Sequence, residues 1–291
     1  MGAVLGLFLS TASAAQEWRI AEQPPFRILY QEGNGAEAEV LRRGAPAVLA
    51  ALQEDLGIQA EGALTVRILP PRGGHSATGS AAPHWAAGYV RSGSREVVLR
   101  GEWVRSYPFG DLLSLFGHEM THVLLDTLRG SETLPRWFHE GVAVSESRRW
   151  SLRDAFALGT LVLVGRPTPL AALTHSFPPD ESAARAAYAE SFHFVSYLER
   201  EHGPRAIRRI LEIMRTGAPF PEAFRLALGR DLSSTEAAWR ARVNWAYRWV
   251  PALTSTGVLW MGMTLLFLLG RLARRRRDRA LLEAWKHQGL D

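Results

Sequence analysis

The chain has 291 residues, enough for one large domain or two small ones with a sizeable buried core. Its 47% hydrophobic and 22% charged residues exclude a wholly disordered chain, and the absence of cysteine excludes disulfides, thiolate metal sites and cysteine nucleophiles. The net charge is +5, but residues 271–291 hold seven Lys/Arg and three Asp/Glu, so four of the five charges lie there. Because the body is nearly neutral, we expect no nucleic-acid partner.

The first 15 residues are apolar and end in small side chains. Residues 12–14 read Ala-Ser-Ala, which resembles a signal-peptidase site. The run is too short for a stable membrane-spanning helix. We therefore predict a signal peptide at 1–15, although no Lys or Arg precedes the apolar run.

Between residues 26 and 99, alternating apolar and polar side chains predict four strands. They cover 26–30, 64–69, 85–90 and 96–99, and the last two form a hairpin. A helix is predicted at 36–56. We expect a break or kink where Pro46 falls in this helix, because proline lacks the N–H that a helix interior needs.

From Asp111 onward the pattern becomes helical. Asp111 is the expected N-cap of a helix that Gly130 would end, and Pro135 suits the first turn of the next helix. Further helices are predicted at 182–202, 204–216, 219–228 and 234–248. Strands followed by helices predict an α+β domain over 16–248.

Residues 118–122 read His-Glu-Met-Thr-His. Helix positions i and i+4 project from the same face, so His118 and His122 can bind one zinc ion. Glu119 is placed to act as general base toward a water that zinc activates. The five-residue pattern also occurs by chance, so two ordinary histidines on a helix remain an alternative on this motif alone.

A second motif follows, in which residues 134–143 read LPRWFHEGVA. Glu140, 18 positions after His122, can complete a His₂Glu zinc site with an open fourth position. The two motifs resemble the gluzincin metallopeptidases, the thermolysin-like clan, and most closely the bacterial peptidase MA-like family. In that group, and in the similar zinc aminopeptidases, the Glu of a W-[LF]-x-E-G-x-A segment is the third ligand. The spacing here is one residue shorter than in the aminopeptidases.

The resemblance covers about 25–220 and implies a small N-terminal sheet followed by helices that carry the zinc ligands. PHWAAGYV, at 83–90, is similar to the edge of the family's sheet beside the cleft. The segment that begins at Tyr188 is similar to a later helix, which implies that Tyr188 donates a hydrogen bond to the developing oxyanion. A packing tyrosine is an equal alternative, and His193 is a weaker candidate donor. An extended peptide is expected to pair with the strand at 96–99.

Three other side chains lie near the motifs in sequence. His139 is expected to be exposed, because it points about 100° away from its neighbour Glu140 on a helix. Asp126 and Glu146 can orient the ligand imidazoles from outside the metal site. Surface carboxylates are the simpler interpretation of both.

The 22 residues 249–270 carry no charge. As a helix they would extend ~33 Å, enough to cross a hydrocarbon core of about 30 Å. Aromatic residues precede this run and the basic tail 271–291 follows it, which favours a transmembrane helix over a buried core helix and predicts a cytoplasmic C-terminus. The tail arginines are expected to meet lipid phosphates. We therefore predict a single-pass protein of a bacterial inner membrane with its catalytic domain on the periplasmic side.

The predicted function is zinc-dependent hydrolysis of a peptide or protein substrate, with one zinc ion per chain. We can locate no group that would hold a free α-amine, which favours an endopeptidase over an aminopeptidase. The main alternative is a catalytically silent, membrane-tethered binding or sensing module on the same fold. An intramembrane metalloprotease is disfavoured, because Asp111, Asp126 and Arg129 bracket the motif helix. The oligomeric state stays open.

Overall fold

The part of the chain that the computed structural model describes contains five strands and eight α-helices. That part comprises residues 17–70, 87–91, 95–100, 110–128, 134–147, 168–247 and 256–287. The predicted signal peptide at 1–15 lies outside it. Strands at the N-terminal side and helices after them confirm the predicted α+β class.

The strands form one mixed sheet in the order β1-β2-β3-β5-β4. Strands β2, β3 and β5 are parallel, whereas β1 and β4 run antiparallel to their neighbours. Four strands lie where they were predicted, with 85–86 outside the described residues, and β1 was not predicted. The strands are β1 Arg19–Gln23, β2 Phe26–Tyr30, β3 Leu64–Leu69, β4 Gly88–Val90 and β5 Glu96–Arg100.

The prediction that the strand at 96–99 offers a free edge is wrong. Strand β5 pairs with β3 on one side and with β4 on the other, so its backbone groups are already used. All five of its residues are buried. The described sheet ends at β4 instead, because the hairpin folds back on the outer side of β5.

The helices follow the predicted order with small shifts at their ends. Helix α1 runs without a break through Pro46, contrary to prediction. Its buried side chains recur every three or four residues at Leu41, Ala45, Leu49 and Leu52, so packing of this face offsets the hydrogen bond that proline removes. The helices are α1 Gly35–Leu56, α2 Leu112–Leu125, α3 Arg136–Ser147, α4 Glu181–His202, α5 Ala206–Arg215, α6 Phe220–Leu228, α7 Leu232–Tyr247 and α8 Thr256–His287.

Helix α2 begins at the predicted cap. The Asp111 carboxylate accepts a hydrogen bond from the backbone N–H of Ser114 at 2.9 Å. The helix ends at Leu125, before Gly130, which lies outside the described residues. It ends early because the chain turns at Asp126 and Thr127, where the Thr127 hydroxyl donates to the Leu124 carbonyl at 2.6 Å.

Helix α3 lies very close to helix α4. A Cβ atom placed on Gly141 would come within 2.6 Å of the Ser191 carbonyl oxygen and 2.7 Å of the Val195 side chain. Glycine at this position therefore allows the two helices to touch through backbone atoms. Beneath this contact, aromatic side chains pack edge to face, including Trp137 against Phe194 at 5.2 Å between ring centroids.

Within the described residues, no helix combines the length and the apolar character needed to cross a membrane. The transmembrane helix predicted for 249–270 is thus not found there. Helix α8 begins at Thr256, and residues 248–255 lie outside the described part. Only 15 residues of α8 precede Arg271, and the arginines that follow it interrupt the apolar run.

Candidate metal centre

Helices α2 and α3 bring the three predicted ligands together. The Nε2 atoms of His118 and His122 are 3.1 Å apart. The Glu140 Oε2 atom lies 3.5 Å from each of these two nitrogens. His118 and Glu140 are buried, and the His122 side chain is 13% exposed. The three side chains therefore converge on one point inside the protein.

The spacing of these atoms fits a zinc ion. A tetrahedral zinc ion with ligands at ~2.0–2.1 Å holds its ligand atoms roughly 3.3 Å apart, close to the separations observed. Glu140 Oε2 is buried and, among the described residues, meets no hydrogen-bond donor in good geometry. One imidazole could donate to the other without a metal, whereas a shared cation would be bound by both imidazoles and by this carboxylate oxygen. The donor set, two imidazoles and one carboxylate, is that of catalytic zinc sites.

The other oxygen of Glu140 is held by Arg136, one helical turn earlier on α3. Arg136 Nη2 donates to Glu140 Oε1 at 2.7 Å. Burial opposes ionisation of Glu140, but the His122 and His118 imidazoles and Arg136 outweigh it, so the pKa of Glu140 lies well below its ordinary value. Arg136 keeps its charge at any relevant pH, so the carboxylate stays ionised with or without a metal.

Tyr188, the predicted donor to the oxyanion, lies beside this ion pair. Its side chain is hydrogen-bonded to Arg136, and its ring packs edge to face against Phe177 at 5.0 Å between centroids. Burial, and then the nearby Glu140 carboxylate, raise the pKa of Tyr188 above its ordinary value. The hydroxyl therefore keeps its proton and can act as a hydrogen-bond donor.

Glu119 lies between α2 and the outer strand β4. A Cβ atom on Gly88 would stand only 2.8 Å from Glu119 Oε1 and 2.9 Å from its Cγ, so glycine leaves the space that this side chain fills. Burial raises the pKa of Glu119 well above its ordinary value, and repulsion from Glu140 raises it further. A carboxylate in such a place is a stronger base than one in water, which suits proton transfer.

His139 is not the exposed side chain that was expected. Only 20% of it is exposed, and its Nδ1 lies 2.7 Å from His122 Nδ1. Its Nε2 lies 3.2 Å from Asp126 Oδ1. The turn of about 100° away from Glu140 directs His139 toward helix α2, because α2 and α3 pack against each other. Asp126 is 61% exposed, and its carboxylate is linked to the candidate ligand His122 through His139.

The remaining candidates lie elsewhere. His193 accepts a hydrogen bond from Trp239 Nε1 at 2.7 Å, and burial lowers its pKa to about 4, which fits a neutral structural histidine. Glu146 lies near Asp55 and Glu199, and burial followed by their charges raises its pKa to about 8. Glu146 is partly buried rather than a surface carboxylate.

Sequence reasoning missed Arg136, Gly88 and the contact between His122 and His139. Arg136 and Glu140 are opposite charges four residues apart on a helix, a signal that could have been used. Gly88 and Glu119 come from a strand and a helix that only the tertiary fold joins. The separation of 17 positions between His122 and His139 likewise matches no helical or strand spacing.

A buried His₂Glu set with a glutamate beside it has the donor types of a catalytic zinc site. Comparison with protein families agrees with this geometry, because the model of the Peptidase MA superfamily matches residues 45–245. The chain therefore belongs to the Peptidase MA superfamily. The matched residues include both motifs and all three candidate ligands. The comparison with curated proteins found no match.

Proposed function

We propose that this protein is a zinc-dependent peptidase, and specifically an endopeptidase. The observation that carries the proposal is the convergence of His118 Nε2, His122 Nε2 and Glu140 Oε2, all within 4.8 Å of one another. Membership of a peptidase superfamily supports the same conclusion.

The residues divide the chemistry between them. A zinc ion, when bound, polarises the scissile carbonyl and lowers the pKa of water. Glu119, buried and with a raised pKa, takes a proton from the attacking water and passes it to the leaving amine. The Tyr188 hydroxyl, which keeps its proton, donates a hydrogen bond to the oxygen that becomes negatively charged.

We propose that the substrate is an extended peptide that lies along β4. Peptide binding was first expected at the strand 96–99, but that strand is not at the edge of the sheet. We place it at β4 instead, because β4 ends the described sheet and its Gly88 touches Glu119. A peptide added to such an edge gains backbone hydrogen bonds and places a carbonyl near Glu119.

We further propose that the protein is attached to a bacterial inner membrane through residues 249–270, with its catalytic part on the periplasmic side. The run of 22 residues without a charge and the arginine-rich segment after it support this proposal. So do the large apolar side chains of α8, of which Leu266 is 70% exposed. Such a surface is stable when lipid covers it.

Two substitutions of Glu by Gln, which has nearly the same shape but no charge, test the proposed chemistry. Glu119→Gln is expected to keep zinc but lower kcat/KM on a general protein substrate by about 10²–10⁴-fold, because only the base is lost. Glu140→Gln is expected to weaken zinc binding as well, because a ligand charge is lost. Zinc content by atomic emission and cleavage of casein-type substrates measure both. Zinc-loaded wild type that cleaves no peptide under any condition would instead favour a binding or sensing module.

A further inference from the structure

The candidate zinc ligand His122 stands at the end of a short chain of side chains that leads to the protein surface. Its Nδ1 faces His139 Nδ1 at 2.7 Å, and His139 Nε2 faces Asp126 Oδ1 at 3.2 Å. Asp126 follows the last residue of α2, whereas His139 lies in α3. The two histidine ring planes are within 7° of parallel. A separation of 2.7 Å between the two Nδ1 atoms is a hydrogen-bond distance, so one ring donates an N–H to the other.

The direction of these hydrogen bonds follows from the acceptor at the far end. An ionised Asp126 carboxylate only accepts, so His139 Nε2 carries the proton of that bond. In a neutral imidazole the other nitrogen then has a free lone pair, so His139 Nδ1 accepts. The proton between the rings therefore belongs to His122 Nδ1.

This direction leaves His122 Nε2 unprotonated, and Nε2 is the atom that faces Glu140 and His118. The nitrogen of a histidine that binds metal is set by the hydrogen bond that the other nitrogen makes. The reverse arrangement would put the proton on Nε2 and block the metal site.

We propose that Asp126 and His139 are positioning residues that fix His122 in its zinc-binding tautomer and ring orientation. His139 does not serve as a fourth ligand, because its two ring nitrogens face His122 Nδ1 and Asp126 rather than the convergence point. The inference rests on the zinc site of the proposed function, but not on peptidase activity.

A matched pair of substitutions in the full-length chain tests this chain of hydrogen bonds. In His139→Gln the side-chain oxygen can still accept from His122 Nδ1–H, whereas in His139→Leu no acceptor remains. We expect His139→Leu to weaken zinc affinity about 10–100-fold and His139→Gln to recover most of this loss. Asp126→Ala, at an exposed position, is expected to cost only a few-fold. Competition with a chromophoric chelator measures zinc affinity, and thermal unfolding of the zinc-free variants reports on folding.

A second measurement tests the position of the His122 proton even if His139→Leu does not fold. The ¹⁵N resonances of the imidazole rings in the zinc-free wild type are expected to show the His122 proton on Nδ1. A proton on Nε2 overturns the proposal, as do equal zinc affinities of the wild type, His139→Leu and His139→Gln. Tight zinc binding that depends on His139, without any peptide cleavage, would contradict the proposed function and leave this inference intact.

Discussion

Helices α2 and α8 are both rich in large apolar residues, but their surroundings differ. In α2, Leu115, Phe116 and Leu124 are completely buried, whereas in α8 Leu266 and Phe267 are 70% and 63% exposed. The cover over α2 comes from α1, α3 and the sheet, and it also removes water from His118 and Glu119. Burial of this kind raises the pKa of the Glu119 carboxyl group and encloses the candidate metal ligands, whereas the exposed apolar side chains of α8 enclose no such group.

The difference between the buried helices and the exposed helix α8 can be tested first by adding one methyl group to α3 and one to α8. Gly141→Ala in α3 would force Cβ against the backbone oxygen of Ser191, so we expect a loss of ~1–3 kcal/mol in the free energy of unfolding, with weaker zinc binding. Gly262→Ala in α8 has no atom within 4 Å of the added Cβ and serves as the control. Urea unfolding of both variants measures the difference. Similar stability of the two variants would contradict the close contact between α3 and α4.

A smaller effect is expected where strand β4 touches Glu119, the proposed general base. Gly88→Ala would place Cβ against the flexible Glu119 side chain, which can move aside. We therefore expect kcat/KM to fall roughly ten-fold through misplacement of the base, with zinc content unchanged. Gly110→Ala, just before α2 and without an atom within 4 Å, is the matched control. Unchanged activity in Gly88→Ala would show that Glu119 does not need its present position.

The smallest effect on the metal site is expected from a charge in α8. Phe267→Arg should reduce the fraction of protein bound to liposomes, because an arginine within an apolar membrane helix costs about 2.5–3.5 kcal/mol. Zinc affinity should change less than about two-fold, since electrostatic effects between distant exposed groups are screened. Leu226→Arg, at an exposed apolar side chain in α6, is the control. Flotation on a sucrose gradient measures binding, and equal flotation of all three proteins would argue against attachment through α8.

Much of the fold could be predicted because the signals are local. The strands at 26–30 and 64–69 and the Asp111 cap agree with the structure, since alternation and capping depend on neighbours in sequence. Strand β1 was missed because its residues are mostly exposed and show no apolar alternation. The break at Pro46 was wrongly expected because local propensity ignores the packing of α1.

By itself, the sequence determined the ligand types and their helical register. His118 and His122 share a helix face for reasons of helix geometry, and the motif around Glu140 predicted the third candidate ligand. The tertiary structure alone decided that β4 rather than β5 ends the described sheet, that Gly88 borders Glu119, and that His139 links His122 to Asp126. These contacts join residues from different elements, and their formation depends on how helices and strands pack, which no local pattern encodes.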